Sequence, residues 1–121
     1  MIDLPFVHLR VCSSYSLLQS TVLLPGLVDK CIENKMPAVA ITDLGNMFGA
    51  LEYSLGLANN GIQPIHGVVF KFDSQLEKEG KIDEILVLAK NEVGYKNLLK
   101  LASKYYTEIA DQGNVITLEK L

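Results

Sequence analysis

Along this chain the apolar positions recur either at helical spacing or in short unbroken runs, and the two kinds of segment alternate. Phe6-Val7-His8-Leu9-Arg10-Val11 reads as a strand, followed by a polar loop through Ser13, Ser14 and Ser16. Leu24, Leu27, Val28, Cys31 and Ile32 fall at helical spacing and predict an amphipathic helix over 25–35. Pro25 suits the first helical position, where its missing N–H costs nothing, and Pro37 stops the helix. The run Ala38-Val39-Ala40-Ile41-Thr42 is apolar on both faces, as a buried parallel strand is.

Asp43-Leu44-Gly45-Asn46 reads as a turn, with Asn46 capping a helix over 47–59. The expected buried stripe of that helix is Phe48, Leu51, Leu55 and Ala58, and Gly61 is its stop. A strand follows over 65–72. The stretch 73–83 is polar, carries Glu79, Gly80 and Lys81 at its centre, and reads as an exposed excursion or hairpin. Another buried strand covers 85–89. The last long helix runs from an Asn91 cap to about residue 108. One of its faces is Glu92, Lys96, Lys100, Lys104, Glu108; the other is Tyr95, Leu98, Leu99, Ala102, Tyr105, Tyr106. With a glutamate at each end, the charged row reads as a solvated face rather than as a basic stripe for phosphates. Residues 117–121 look like a helix just starting.

Strands alternating with helices point to an α/β fold with a mostly parallel sheet and flanking helices. A length of 121 residues is that of one domain. In such folds chemistry sits at the carboxyl ends of the strands, here 10–16 and 43–46.

Composition narrows the choices. With 49% apolar and 21% charged residues the chain can bury enough surface to fold, which excludes disorder as its main description. No apolar run approaches the ~18 residues of a membrane span. Asp3 and Arg10 do not fit a signal peptide, so a cytoplasmic location is expected. Eleven basic residues against fourteen acidic give a net charge of -3, so this segment alone is expected to bind DNA weakly or not at all. Cys12 and Cys31 read as free thiols, and only two histidines, His8 and His66, are present. His66 reads as a neutral strand or turn histidine. On the first strand His8, Arg10 and Cys12 alternate and so share a face.

The stretch His8-Leu9-Arg10-Val11-Cys12-Ser13-Ser14-Tyr15-Ser16 resembles the opening motif of the PHP (polymerase and histidinol phosphatase) domain family. The closer likeness is to the form found at the N-terminus of bacterial DNA polymerase III alpha subunits. The segment 36–49, with Thr42-Asp43-Leu44-Gly45-Asn46 at its centre, is similar to a signature of that group. So are Gly61-Ile62-Gln63-Pro64-Ile65-His66-Gly67, Leu86-Val87-Leu88-Ala89-Lys90 and Gly94-Tyr95-Lys96-Asn97-Leu98. The resemblance implies a distorted (β/α)7 barrel. A barrel of that class needs on the order of 250 residues, so residues 1–121 would be a single partial domain, about half the barrel, at the start of a much longer polymerase chain.

For the parent, the resemblance implies a DNA-directed DNA polymerase, a nucleotidyltransferase of chromosomal replication. Its catalytic carboxylates and their Mg2+ would lie outside this segment. Implied partners are the proofreading exonuclease (epsilon) subunit, other replicase subunits, and DNA through the parent chain, with no membrane. For the PHP site itself, the two histidine ligands of the first motif correspond to Arg10 and Cys12, the aspartate is kept as Asp43, and the histidine beside it corresponds to Leu44. A glutamate ligand corresponds to Val69 and a further histidine to Glu84. One surviving carboxylate cannot hold a multinuclear site, so the expectation is a decayed centre with no metal, no catalytic residue, and a scaffold or docking role.

The alternative function is a metal-dependent phosphoesterase or pyrophosphatase, or a 3'-5' exonuclease, of the same superfamily. Two narrower alternatives concern single residues. His8, Cys12, Asp43 and Glu84 are all permitted zinc ligands, but Arg10 would place a positive charge among them. Cys12 near Arg10 could be a reactive thiol, yet no histidine is placed as its base. A carboxylate left behind by a lost metal needs compensation. Arg10, permanently charged on the neighbouring strand end, is expected to form a structural ion pair with Asp43.

Overall fold

The computed structural model describes residues 5–74, 81–110 and 113–121. Helix α1 (Leu24–Glu33) leads into strand β1 (Ala38–Leu44), helix α2 (Ala50–Ala58) and strand β2 (Gln63–Asp73). Strand β3 (Ile82–Leu88), helix α3 (Glu92–Thr107) and the short strand β4 (Ile116–Thr117) follow, with a 3-10 turn at Leu118–Lys120. β1 and β2 pair in parallel from Ala38 with Gln63 to Leu44 with Val69. β2 then pairs antiparallel with β3 and, at its far end, in parallel with β4. The fold is therefore α/β, with a mainly parallel sheet and flanking helices.

Local chemistry sets the ends of the elements. Pro25 lies in the first turn of α1. That helix closes with Lys35 at φ +53° and Met36 N–H donating to the Cys31 carbonyl over 2.9 Å. Gly61, at φ +70°, ends the α2 segment as its sequence position suggested. The Asn91 side chain accepts from Gly94 N–H at 2.9 Å and starts α3. Asn46 does cap a turn, accepting from Phe48 N–H at 3.1 Å, but the helix proper begins at Ala50 rather than at Met47.

Two apolar clusters hold the layers together. Val28 and Cys31 of α1 and Tyr53 and Leu57 of α2 pack on Val39 and Ile41 of β1. Leu98 and Tyr105 of α3 pack with Val68 and Phe70 of β2 and Ile116 of β4. The centre of β1 is buried through five successive residues, which explains its unbroken apolar run. Gly67 of β2 is needed for this closeness. A Cβ there would stand 2.6 Å from Leu88 Cδ2 and 2.8 Å from the Val87 carbonyl oxygen.

Three expectations change. The N-terminal strand is reduced to a single parallel bridge, His8 with Val39, although Ala40 and Thr42 N–H still donate to the carbonyls of His8 and Val11 at 2.8 Å. The stripe of α2 is turned: Ala50, Tyr53 and Leu57 are buried, whereas Phe48, Leu51 and Leu55 are 70%, 72% and 56% exposed. Tyr53 decides the orientation, because it is the largest fully buried side chain and its hydroxyl donates to the Val39 carbonyl. On α3, Leu98 and Tyr105 are buried but Leu99 and Tyr106 are exposed. The row Glu92 to Glu108 is solvated, as expected, with Glu92–Lys96 and Lys104–Glu108 ion pairs. Of the polar stretch 73–83, residues 75–80 lie outside the described residues; the strands on either side pair as the arms of a hairpin do.

Candidate functional site

β1 delivers Asp43 to its carboxyl end, where the loop after the N-terminal segment folds over it. The Asp43 side chain is buried, with 1% exposure, and both its oxygens are occupied. Oδ1 accepts from Ser13 N–H at 2.6 Å and from the Ser16 hydroxyl at 2.7 Å. Oδ2 accepts from the Ser13 hydroxyl at 2.7 Å. Each hydroxyl then accepts in turn: Tyr15 N–H donates to Ser13 Oγ at 3.2 Å, and Leu44 N–H donates to Ser16 Oγ at 3.0 Å. Asn46 extends the network, its amide donating to the carbonyls of Tyr15 and Leu44. A charge in the interior is tolerable when its hydrogen-bonding capacity is met in this way. The result is a clamp that fixes loop 13–16 to the end of β1.

The expected pairing of Arg10 with Asp43 is not the one the structure makes. Arg10 donates to Glu84 of β3, and both side chains stand about half in solvent, at 55% and 50% exposure. The reason is steric and electrostatic together. Loop 13–16 covers the carboxylate and brings donors that need no long flexible stem, so Arg10 turns outward to the remaining acid. Ser13 and Ser16 were legible only as polar loop residues. The available signal was a hydroxyl at two positions three apart, directly after a strand that neighbours a buried carboxylate.

The other sequence-selected positions separate. Cys12 Sγ lies 3.4 Å from the Thr42 carbonyl oxygen and is half-buried. His8 is exposed and packs edge-on against Phe6, with ring centroids 4.6 Å apart. Leu44, Val69 and Glu84 share a cleft of about 310 Å³ with Lys71, Tyr106 and Asn114. Its wall depends on Gly45, at φ +67°, where a Cβ would stand 2.9 Å from Tyr105 Cε1. Among the described residues no three His, Cys, Asp or Glu side chains gather into a group that could hold a metal ion. The donor set at the strand ends does not fit one either: Asp43 already accepts three hydrogen bonds through both its oxygens, Leu44 and Val69 offer no donor atom, and Arg10 adds a cation.

His66 lies near the opposite end of β2. Its Nε2 is 3.0 Å from Ser54 Oγ, which is itself 2.7 Å from the Ala50 carbonyl oxygen. With the single hydroxyl proton on that carbonyl, Nε2–H donates to Ser54, and Nδ1 is left as a buried acceptor with no partner among the described residues. Burial pushes the His66 pKa below its ordinary 6.5. The ring is flanked edge-on by Tyr53 and Tyr95.

Residues 8–121 match the PHP domain family. The chain is 46% identical over 105 residues to the DNA polymerase III subunit alpha of Rickettsia conorii, covering 85% of this chain and 8% of that protein. It is 40% identical over 110 residues to the subunit of the same name from Borreliella burgdorferi, covering 85% of this chain and 10% of that one. With the Vibrio cholerae subunit it shares 40% over 106 residues, covering 88% of this chain and 9% of the relative. The chain thus spans about a tenth or less of the length of these relatives. A crystal structure from Bifidobacterium adolescentis, assigned to the metal-dependent phosphoesterases, superposes with a TM-score of 0.49 at 17% identity, over 88% of this chain and 37% of that one.

Proposed function

The chain belongs to the PHP domain family, and on that footing we propose that it is the PHP region of a replicative DNA polymerase III alpha subunit, serving as a non-catalytic scaffold and docking module. In this reading the parent performs DNA-directed DNA synthesis with Mg2+ at carboxylates elsewhere in its length, in the bacterial cytoplasm. Among the described residues no helix is long and apolar enough to cross a membrane. The proofreading exonuclease and other replicase subunits are the proposed partners, with DNA reached through the parent rather than through this acidic segment.

One observation carries the reading. The acid that remains from the family's ligand set, Asp43, is committed through both oxygens to holding loop 13–16. A carboxylate so engaged would have to give up its clamp to bind a metal, and among the described residues no three His, Cys, Asp or Glu side chains gather to hold one. Arg10 and Glu84 neutralise each other at the rim.

Elemental analysis of the purified chain, with a p-nitrophenyl phosphate assay beside it, tests this. The expected outcome is well under one transition metal per chain and no hydrolysis above background. About one or more bound zinc, manganese or iron with phosphatase activity would restore the metal-dependent phosphoesterase alternative. Binding to single-stranded or primed DNA at ~150 mM salt should be weak; submicromolar affinity would move part of the parent's DNA contact into this segment.

A further inference from the structure

His66 joins three elements at the start of β2. Its Nε2 meets Ser54 Oγ of α2 at 3.0 Å, and its carbonyl accepts from Ala89 N–H at 2.8 Å, just ahead of α3. Its ring lies between Tyr53 of α2 and Tyr95 of α3, with centroids 5.9 and 5.2 Å away. Beside it opens a pocket of about 590 Å³, lined by Ser54, His66, Lys90, Glu92 and Tyr95 among others. All its walls come from residues 54–95, away from both ends of the chain.

Nδ1 is closed off from solvent and has no partner among the described residues. As a bare acceptor it is a modest loss. As a cationic N–H it is a large one, because an imidazolium has two donors and Ser54 takes only one. The surroundings offer few charges to meet it. On α2, Tyr53 stays neutral, since burial pushes its hydroxyl up, and Glu52 is turned to Tyr15. β1 places Ile41 opposite His66 in the register. At the β3–α3 junction Lys90 repels a second cation, and the Asn91 side chain is occupied by Gly94 N–H. Glu92 is the one acid lining the pocket, and it is held only by an exposed pair with Lys96 at 2.7 Å.

We propose that His66 is a proton-operated latch between α2 and α3: neutral, it fastens the first turn of α3 to α2 through Ser54 and the two tyrosines; protonated, its ring leaves Ser54, turns into the pocket to pair with Glu92, and releases that turn. The proton comes from solvent onto Nδ1, and no other covalent bond forms or breaks. The device goes beyond the scaffold reading and does not depend on it. Loosening is confined to the β3–α3 junction and the first turns of α3, because α1 and β1 are packed by other residues.

The test is nuclear magnetic resonance on the isotope-labelled 121-residue chain between about pH 7.5 and 5. At the upper end the imidazole proton is expected on Nε2, with a nuclear Overhauser contact from the ring to Ser54. On acidification that contact should vanish and one to Glu92 should appear. Amide protection factors over 92–96 should fall about tenfold or more, while those of β1 hold within about twofold. Glu92→Gln should remove the new contact and lower the ring's titration midpoint by about half a pH unit. Glu108→Gln, the same change at the other end of α3, should leave the midpoint where it is. His66→Gln should keep α3 equally protected across the range, and the exposed Glu92→Gln change carries the test if that variant melts early.

A proton on Nδ1 at the upper pH, or a ring that titrates while keeping its contact with Ser54, would overturn the proposal. So would protection lost throughout the chain at once, which would make the acid response global unfolding. An unchanged midpoint in Glu92→Gln, or the same loss of α3 protection in His66→Gln, would overturn it as well.

Discussion

The carboxylate of Asp43 is 1% exposed and takes three hydrogen bonds from Ser13 and Ser16, whereas Glu84 on the same sheet holds its carboxylate half in solvent against Arg10. Both stand at positions where the resemblance to the PHP family led us to expect metal ligands. The difference lies in what else each acid touches. Asp43 is wrapped by a loop whose own backbone needs an anchor, so its charge has become part of the framework. Glu84 lies on a strand that begins in solvent, and its pair with Arg10 is screened and costs side-chain entropy to hold. A position matched to an expected ligand therefore says little about the energetic role of the residue that stands there.

Substitutions can break this comparison, and the largest effect is expected at Asp43. Asp43→Ala leaves one buried N–H and two hydroxyls without their acceptor and should cost about 3–5 kcal/mol in urea melts. Ser13→Ala and Ser16→Ala, each removing a bond to the charged acceptor, should cost about 1.5–3 kcal/mol apiece. Asp43→Ala melting within about 1 kcal/mol of the parent would mean that the clamp is dispensable. Next comes Tyr53→Phe, which deletes the hydroxyl bonded to the Val39 carbonyl and should cost about 1–2 kcal/mol without moving the fold.

A smaller, pH-dependent effect belongs to His66, whose folded-state pKa lies below 6.5 because burial disfavours its charged form. Below pH 6.5 the unfolded chain takes up the proton first, so stability present above that value is lost as the pH falls toward the lowered folded pKa. Melts between pH 7.5 and 5 should show this decline, and His66→Gln should flatten it; an unchanged slope would assign the acid sensitivity to the carboxylates. The smallest effect is expected for Arg10 and Glu84. Each alanine substitution and their coupling in a double-mutant cycle should lie within about 1 kcal/mol. A coupling as large as the loss at Asp43 would erase the contrast.

Most of the secondary structure could be read from the sequence because its signals are local. Pro25 and Pro37 bound α1, Gly61 ends the α2 segment, Asn91 caps α3, and the apolar run at Ala38 marks a strand buried on both faces. What failed depended on distant neighbours. α2 has apolar residues on two sides, so spacing alone could not tell Phe48, Leu51 and Leu55 from Ala50, Tyr53 and Leu57; packing of Tyr53 against β1 settled it. The first segment has strand-like composition, yet its ladder to β1 contains one bridge. At the site, Asp43 was found from the sequence, but its partners were not. Choosing between Arg10 and two serines requires knowing that loop 13–16 closes over the strand end.

The outer face of α2 has a consequence for how the molecule behaves in bulk. Phe48, just ahead of the helix, and Leu51 and Leu55 on it present a row of hydrocarbon to solvent, while a net charge of -3 gives little long-range repulsion between copies. Close approach of two molecules is then governed by short-range attraction rather than by Coulomb forces. A dilute solution of the chain should accordingly show a negative osmotic second virial coefficient near neutral pH. Replacing Leu51 and Leu55 by glutamate should turn it positive, so that colloidal stability is set by two side chains that the folded core does not use.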